Sequence, residues 1–152
     1  MKRDTKIVLA CVAAIPTFIL GMASLCSLAI ASGASMQWRL AFRMMCHGLP
    51  RRCLELFDVP MPICARCTGI YLGMLVGIAF FIVLPWLRER VMRKVAIAAI
   101  APLAIDGLTQ LTGLRESTNA LRMATGLIAG LAFGLWVLSA IERRGETAAA
   151  SS

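Results

Sequence analysis

"TGIYLGMLVGIAFFIVLPWL", residues 68–87, runs for 20 residues without a charge and is bounded by Arg66 and Arg88. At ~1.5 Å rise per residue, a helix of this length crosses a hydrocarbon core of ~30 Å. Three other blocks read the same way. Ile7 to Ala31 is charge-free for 25 residues, Val95 to Leu114 holds one charge, Asp106, and Ala120 to Ile141 holds one, Arg122. The expected architecture is an all-α membrane protein built as a four-transmembrane-helix bundle. Its helices cover about 7–31, 68–87, 95–114 and 120–141, with a loop at 33–67 and a short polar tail at 142–152. A chain of 152 residues makes this one integral membrane domain, 1–152.

Composition agrees. The chain is 59% hydrophobic and 16% charged, outside the soluble range. Sixteen Lys+Arg against eight Asp+Glu would suit nucleic acid on a soluble chain. Here the basic residues sit in short clusters between apolar blocks, without an aromatic stacking platform. The bilayer, and no nucleic acid, is the expected partner. Lys2, Arg3 and Lys6, then Arg88, Arg90, Arg93 and Lys94, then Arg143 and Arg144 all fall on one side of four spans. Basic flanks mark the cytoplasmic side, so both termini are expected in the cytoplasm and the protein in the plasma (inner) membrane. The first block is too long for a signal-peptide core of about 7–15 residues, so it reads as an uncleaved helix.

Four spans place the 33–67 loop and the turn "GLRESTN" (113–119) on the same, extracytoplasmic face. Their polar residues can then form one site. Within the loop, Trp38, Phe42 and Met45 fall at i, i+4, i+7, as in a short amphipathic helix at the interface or a helical continuation packed on the bundle. Pro50, Pro60 and Pro62 break helix and imply an irregular connection. Gly69, Gly73 and Gly77 repeat every four residues, as do Gly126, Gly130 and Gly134. Such stripes let helices approach closely. Packing inside the bundle is the first expectation, and a homo-oligomer through either stripe is the second.

The loop also carries the thiols. Cys11 and Cys26 lie among apolar residues of the first block and read as core. Cys46, His47, Cys53, Cys64 and Cys67 lie within "CHGLPRRC" (46–53) and "PICARC" (62–67). Cys-x-x-Cys converges two sulfurs on one ion, and Cys46 with His47 completes a tetrahedral zinc shell, with Cys53 as a substitute ligand. Two alternatives stand beside zinc. An oxidising face favours disulfide exchange between Cys64/Cys67 and Cys46/Cys53, or a plain structural disulfide.

"DGLTQLTGLRESTNALRMATG" (106–126) supplies the second half of the site. Asp106 and Gln110 share a helix face, and Arg115, Asn119 and Arg122 follow at i, i+4, i+7 across the turn. An ionised Asp in a spanning helix costs ~2.5–3.5 kcal/mol, which marks it as a functional candidate. Asp106 sits ~12 Å inside the extracytoplasmic end of its helix by this reading. Arg122 is its expected partner, and Ser117 the expected cap of the last helix. A structural Asp–Arg pair is one reading, a polar pocket the other. In the pocket reading Arg115 and Arg122 hold an anionic headgroup or phosphate. Asp106 or Glu116 then serves as general base or contributes to a metal site.

The motifs "CH" with "LPRRC", "PICARCTGIYLG" and "DGLTQLTGLRESTNALRMATG", in this order, resemble a family of small bacterial and archaeal membrane proteins known as a domain of unknown function. The resemblance covers about residues 38–135. It adds Arg52 and Arg66 to Gln110, Arg115, Asn119 and Arg122 as candidate binding residues, and it keeps Cys46, His47, Cys64 and Cys67 together. The family reads Gln where this chain has Gly48, and Ser or Cys at Cys53, which argues against Cys53 as a ligand. The resemblance implies one module but no activity.

The leading expectation is a membrane metalloprotein with an extracytoplasmic Cys/His zinc-type site above a polar intramembrane pocket for a lipid-linked or anionic substrate. A membrane thiol–disulfide oxidoreductase and a non-enzymatic transporter or assembly factor are the alternatives.

Overall fold

The computed structural model describes residues 3–83, 89–113 and 116–150. Four long helices, α1 (Arg3–Ala31), α2 (Ala65–Val83), α3 (Glu89–Leu111) and α4 (Asn119–Ala150), carry most of the chain. A two-stranded antiparallel sheet, β1 (Cys53–Leu56) and β2 (Val59–Cys64), stands between α1 and α2. The protein is therefore mostly helical rather than all-α.

Among the described residues, three stretches are long and apolar enough to cross a membrane: Ile7–Ala31, Ala65–Val83 and Asn119–Arg143. Helix α3 differs from the expected third span at both ends. It begins at Glu89, so Arg90, Arg93 and Lys94 lie in its first turns and not in a connecting turn. It stops at Leu111, where Gly113 (φ 71°) takes the left-handed conformation that glycine adopts most cheaply. Asp106 is thus five residues, or ~7.5 Å, from the helix end. The residues expected as a polar tail instead continue α4 to Ala150. "ERRGETAAA" is rich in helix formers and holds no proline, so nothing in it ends the helix.

The two glycine stripes face each other. A Cβ on Gly73 would stand 2.3 Å from Leu127 O, and one on Gly130 would stand 2.1 Å from Ile70 O. Gly69, Gly77 and Gly126 meet partner backbone at 2.4–2.5 Å in the same way. Backbone-to-backbone contact of this kind is available only to glycine. Both stripes are used within one chain, as the first expectation held. Beside this seam, α3 packs Ala96 and Ala99 against Ala132 and Trp136 of α4. Helix α1 packs on α2 and on β2 while exposing Ile15 and Phe18 at 63% and 68%, a face suited to lipid.

The loop is more ordered than its prolines suggest. Helix α1 ends in a Schellman arrangement: Gly33 N–H donates to Ile30 O, Ala34 N–H donates to Ala29 O, and Gly33 has φ 104°. Met36–Phe42 then forms a 3₁₀ helix with no buried residue, not the expected α-helical amphipathic turn. The 3₁₀ twist leaves Trp38 and Leu40 exposed at 65% and 54% and turns Arg39 inward. Arg39 Nη2 donates to Gly48 O and Met61 O at 3.1 Å each, tying the loop together. Strands β1 and β2 are joined by Phe57 and Asp58, both at φ 58°, the geometry of a two-residue hairpin turn. Cys53 pairs with Cys64 at the open end of the hairpin.

Candidate metal centre and polar cavity

Strand β2 runs straight into α2, so Cys64 ends the strand while Arg66 and Cys67 occupy the first helical turn. This junction makes Cys-x-x-Cys converge: Cys64 Sγ and Cys67 Sγ are 3.5 Å apart. Cys46 reaches them from the preceding loop, where its Sγ accepts the Cys64 N–H at 3.2 Å. The sulfurs of Cys46, Cys64 and Cys67 all lie within 4.8 Å of one another. All six cysteines of the chain are free thiols.

Three soft donors at this spacing could hold a metal ion. Donors that accept hydrogen bonds from both neighbouring thiols and from the Cys64 and Gly48 N–H groups favour the thiolate, so the Cys46 pKa is held far below that of a free thiol. Of the expected shell, His47 is the member not brought in. It is exposed and lines the cavity beside the cluster, but its ring nitrogens are outside the group of mutually close donors. Adjacent residues in an extended loop point apart, and Cys46 takes the inward position. Cys53 is also outside. Its thiol donates to Leu49 O at 3.2 Å and lies 3.9 Å from Arg39 Nη2. Burial raises its pKa to about 11, against a smaller opposite pull from Arg39.

Below the thiols lies a cavity of about 290 Å³, lined by Cys46, His47, Cys64 and Cys67 together with Arg52, Arg66, Gln110 and Arg122. The loop and the α3–α4 turn therefore share one end of the molecule, as the span count implied. Asn119 Nδ2 fastens the two halves by donating to Cys53 O at 3.1 Å.

Asp106 is 7% exposed, and its ion-pair partner is Arg66, not the expected Arg122. Arg66 extends from the first turn of α2 and takes the carboxylate, while Arg122 meets α3 one turn further on, at Gln110. Gln110 links the two arginines: its Nε2 donates to Asp106 Oδ2 at 2.8 Å and its Oε1 accepts Arg122 Nε at 3.1 Å. Arg122 Nη1 donates to Asn119 Oδ1 at 2.9 Å. Ser117 is buried at 6% exposed, and its hydroxyl donates to Thr118 O at 3.4 Å. The α4 cap is instead Thr118, whose Oγ1 accepts the Leu121 N–H at 3.2 Å. Glu116 stands apart, 89% exposed and 3.7 Å from the equally superficial Arg51. Arg115 lies outside the described residues.

Sequence reading missed two participants. Ser117, expected as the cap of the last helix, is instead buried, and Arg39, given no role by the sequence, ties the loop together. Neither residue type signals such a place by itself.

Fold and site together define a small helical membrane protein with a thiol cluster over an arginine-lined cavity. The chain belongs to the family described as "Predicted membrane protein (DUF2085)", whose model matches residues 46–136. That match includes all three thiols and the whole polar network. The chain is 42% identical over 102 residues to an uncharacterized protein of Methanocaldococcus jannaschii, across 64% of this chain and 64% of that relative's length. It is 40% identical over 102 residues to an uncharacterized protein of Methanothermobacter thermautotrophicus, across 67% of this chain and 90% of that relative. No solved structure matches it.

Proposed function

We propose that the protein is an integral membrane metalloprotein in which Cys46, Cys64 and Cys67 hold a zinc-type ion at the mouth of an anion-accepting cavity. The observation that carries this reading is the mutual approach of three sulfurs within 4.8 Å beside a cavity lined by Arg52, Arg66 and Arg122. His47, at the cavity wall, is the candidate for the fourth position in a resting state, and a ligand atom would displace it. Asp106 acts as a positioning residue by holding Arg66, and Glu116 lies too far out to serve the same site. In this reading α3 is a fourth span, the site faces away from the cytoplasm, and both termini lie inside the plasma membrane. The Glu89–Arg143 ion pair, 2.6 Å, supports the pairing of the α3 start with the lower part of α4 at the opposite end.

The test is elemental analysis of detergent-purified protein. One zinc-type ion per chain is expected, lost in Cys46→Ser, Cys64→Ser and Cys67→Ser and retained in Cys53→Ser. Metal-free protein under zinc-replete conditions would sink the reading. The 3.5 Å Cys64–Cys67 approach favours one competitor, dithiol–disulfide exchange. There the two thiols form a disulfide as a partner disulfide takes up two electrons and two protons. That reading predicts a metal-free, reducible Cys64–Cys67 bond in the same samples.

A further inference from the structure

We propose that the cavity binds a phosphate-class dianion through Arg52 and Arg122. This rests on the cavity being the functional site, but it does not require the metal.

The argument begins with Arg122, which is 6% exposed and has only neutral partners. Its Nε donates to the Gln110 amide oxygen and its Nη1 to the Asn119 amide oxygen. The nearby carboxylate, Asp106, is committed to Arg66 and Gln110. Arg52 lines the same cavity, and among the described residues no carboxylate pairs with it. Three guanidiniums therefore share one carboxylate, a surplus of two positive charges. A buried cation without a counter-charge is costly, and such sites persist when something supplies the charge.

Helix direction adds to the surplus. Helices α2 and α4 both begin at this end, at Ala65 and Asn119, so both positive dipole ends converge here. Arg122 sits in the fourth position of α4, the wrong end of a helix for a cation. An anion would relieve the burial, the crowding of Arg52 against Arg122, and the dipole at once. A divalent ion on three thiolates would carry one negative charge, which leaves one positive charge and two helix ends unmatched.

A dianion with several oxygens matches two guanidinium forks better than a carboxylate does. At about 290 Å³ the cavity lies at the small end of ligand pockets (~300–1,000 Å³), enough for a phosphate and a few more atoms but not for acyl chains. A lipid phosphate headgroup and a soluble phosphate present the same chemistry.

The test uses the full, metal-loaded chain in phosphatidylcholine nanodiscs. Inorganic phosphate is titrated by calorimetry, and thermal midpoints are compared with and without phosphatidic acid in the disc. A midpoint raised by either ligand is expected. Phosphate alone would identify a soluble anion, and phosphatidic acid alone would identify a headgroup. Arg52→Gln and Arg122→Gln should weaken binding at least tenfold, and the exposed Arg51→Gln less than twofold. Among the described residues Arg52 forms no ion pair, so its variant carries the test if Arg122→Gln misfolds. No response to either ligand, or an equal response in Arg52→Gln and Arg51→Gln, would overturn the proposal. Metal content measured on the same samples separates this outcome from failure of the metal reading.

Discussion

Helix α4 makes two interfaces that work by opposite means. Against α2 it presents glycine, so that the two backbones meet directly at the glycine contacts. At its upper end against α3 it presents Arg122 and Asn119, and contact is made through a chain of hydrogen bonds from Arg66 through Asp106 and Gln110. The seam tolerates no added atom, whereas the network needs each of its polar atoms. The two are coupled by position. Because α2 and α4 touch at Gly69 and Gly126, Arg66 and Arg122 are brought to the same cavity, one turn from the thiols. A close-packed seam acts as the frame, and the thiols and the polar network are arranged at its end.

The strongest way to break this arrangement is to fill the seam. Gly130→Val places atoms where a Cβ already stands 2.1 Å from Ile70 O, and neither backbone can retreat without opening the whole pair. We expect a loss above ~4 kcal/mol, well past ordinary overpacking, seen as loss of the folded monodisperse species in detergent. Gly21→Ala in α1, where nothing lies within 4 Å, should stay within ~1 kcal/mol of wild type by the same measurement. Equal tolerance at the two positions would mean that α2 and α4 do not meet on their glycines.

The network is the second target. Asp106→Asn keeps the shape but removes the charge that Arg66 faces across α2 and α3. Breaking a buried pair from one side costs ~3–5 kcal/mol, and Arg66 is 25% exposed, so about 3 kcal/mol is expected in a chemical melt. Metal content should survive, because the thiols are positioned by the hairpin and α2. Loss of both stability and metal would show that the network, not the hairpin, holds the thiol cluster.

Much of this was legible in the chain, and the gaps have physical causes. Three of the four expected spans were visible because lipid demands about 20 apolar residues in a row, whereas α3, with its charged first turns and Asp106, does not qualify on the same measure. The shared face of loop and turn followed from counting spans. The glycine repeats at 69–77 and 126–134 announced a close approach, although not which partner each would find. Other features were decided by three-dimensional reach. Arg66 was hidden as the pair of Asp106 because the two are 40 residues apart and pattern favours the nearer Arg122. The hairpin was hidden because Phe57 and Asp58 take positive φ without the usual Gly or Asn, and because two prolines sit in β2. The choice of Cys46 over His47 depends on which way one backbone step turns, and spacing cannot show that.

Smaller effects sharpen the same contrast among the thiols. Cys53 is 3% exposed and its pKa is about 11, so burial keeps it protonated through the range where an ordinary thiol near 9 ionises. A raised thiol pKa favours the folded state fully below the unfolded value, and that advantage fades as pH climbs toward 11. In metal-free protein, iodoacetamide at pH 8 should therefore modify Cys46 in preference to Cys53, and Cys53 should become labelled only as pH approaches 11 or on unfolding. Mass spectrometry of the labelled peptides reads this directly. Early labelling of Cys53 would mean that it is more accessible than its place between the hairpin and Arg39 allows.

The smallest effect belongs to the pair outside the cavity. Arg51 and Glu116 are 3.7 Å apart with side chains 69% and 89% exposed, so solvent and salt screen them. Glu116→Gln should change stability by no more than ~0.5 kcal/mol and leave metal content and phosphate binding as in wild type. Sequence position alone made Glu116 as good a candidate base as Asp106, and this variant separates them. A Glu116→Gln protein that loses ligand binding while its melt is unchanged would move the functional boundary outward, from the arginine-lined cavity to the exposed turn before α4.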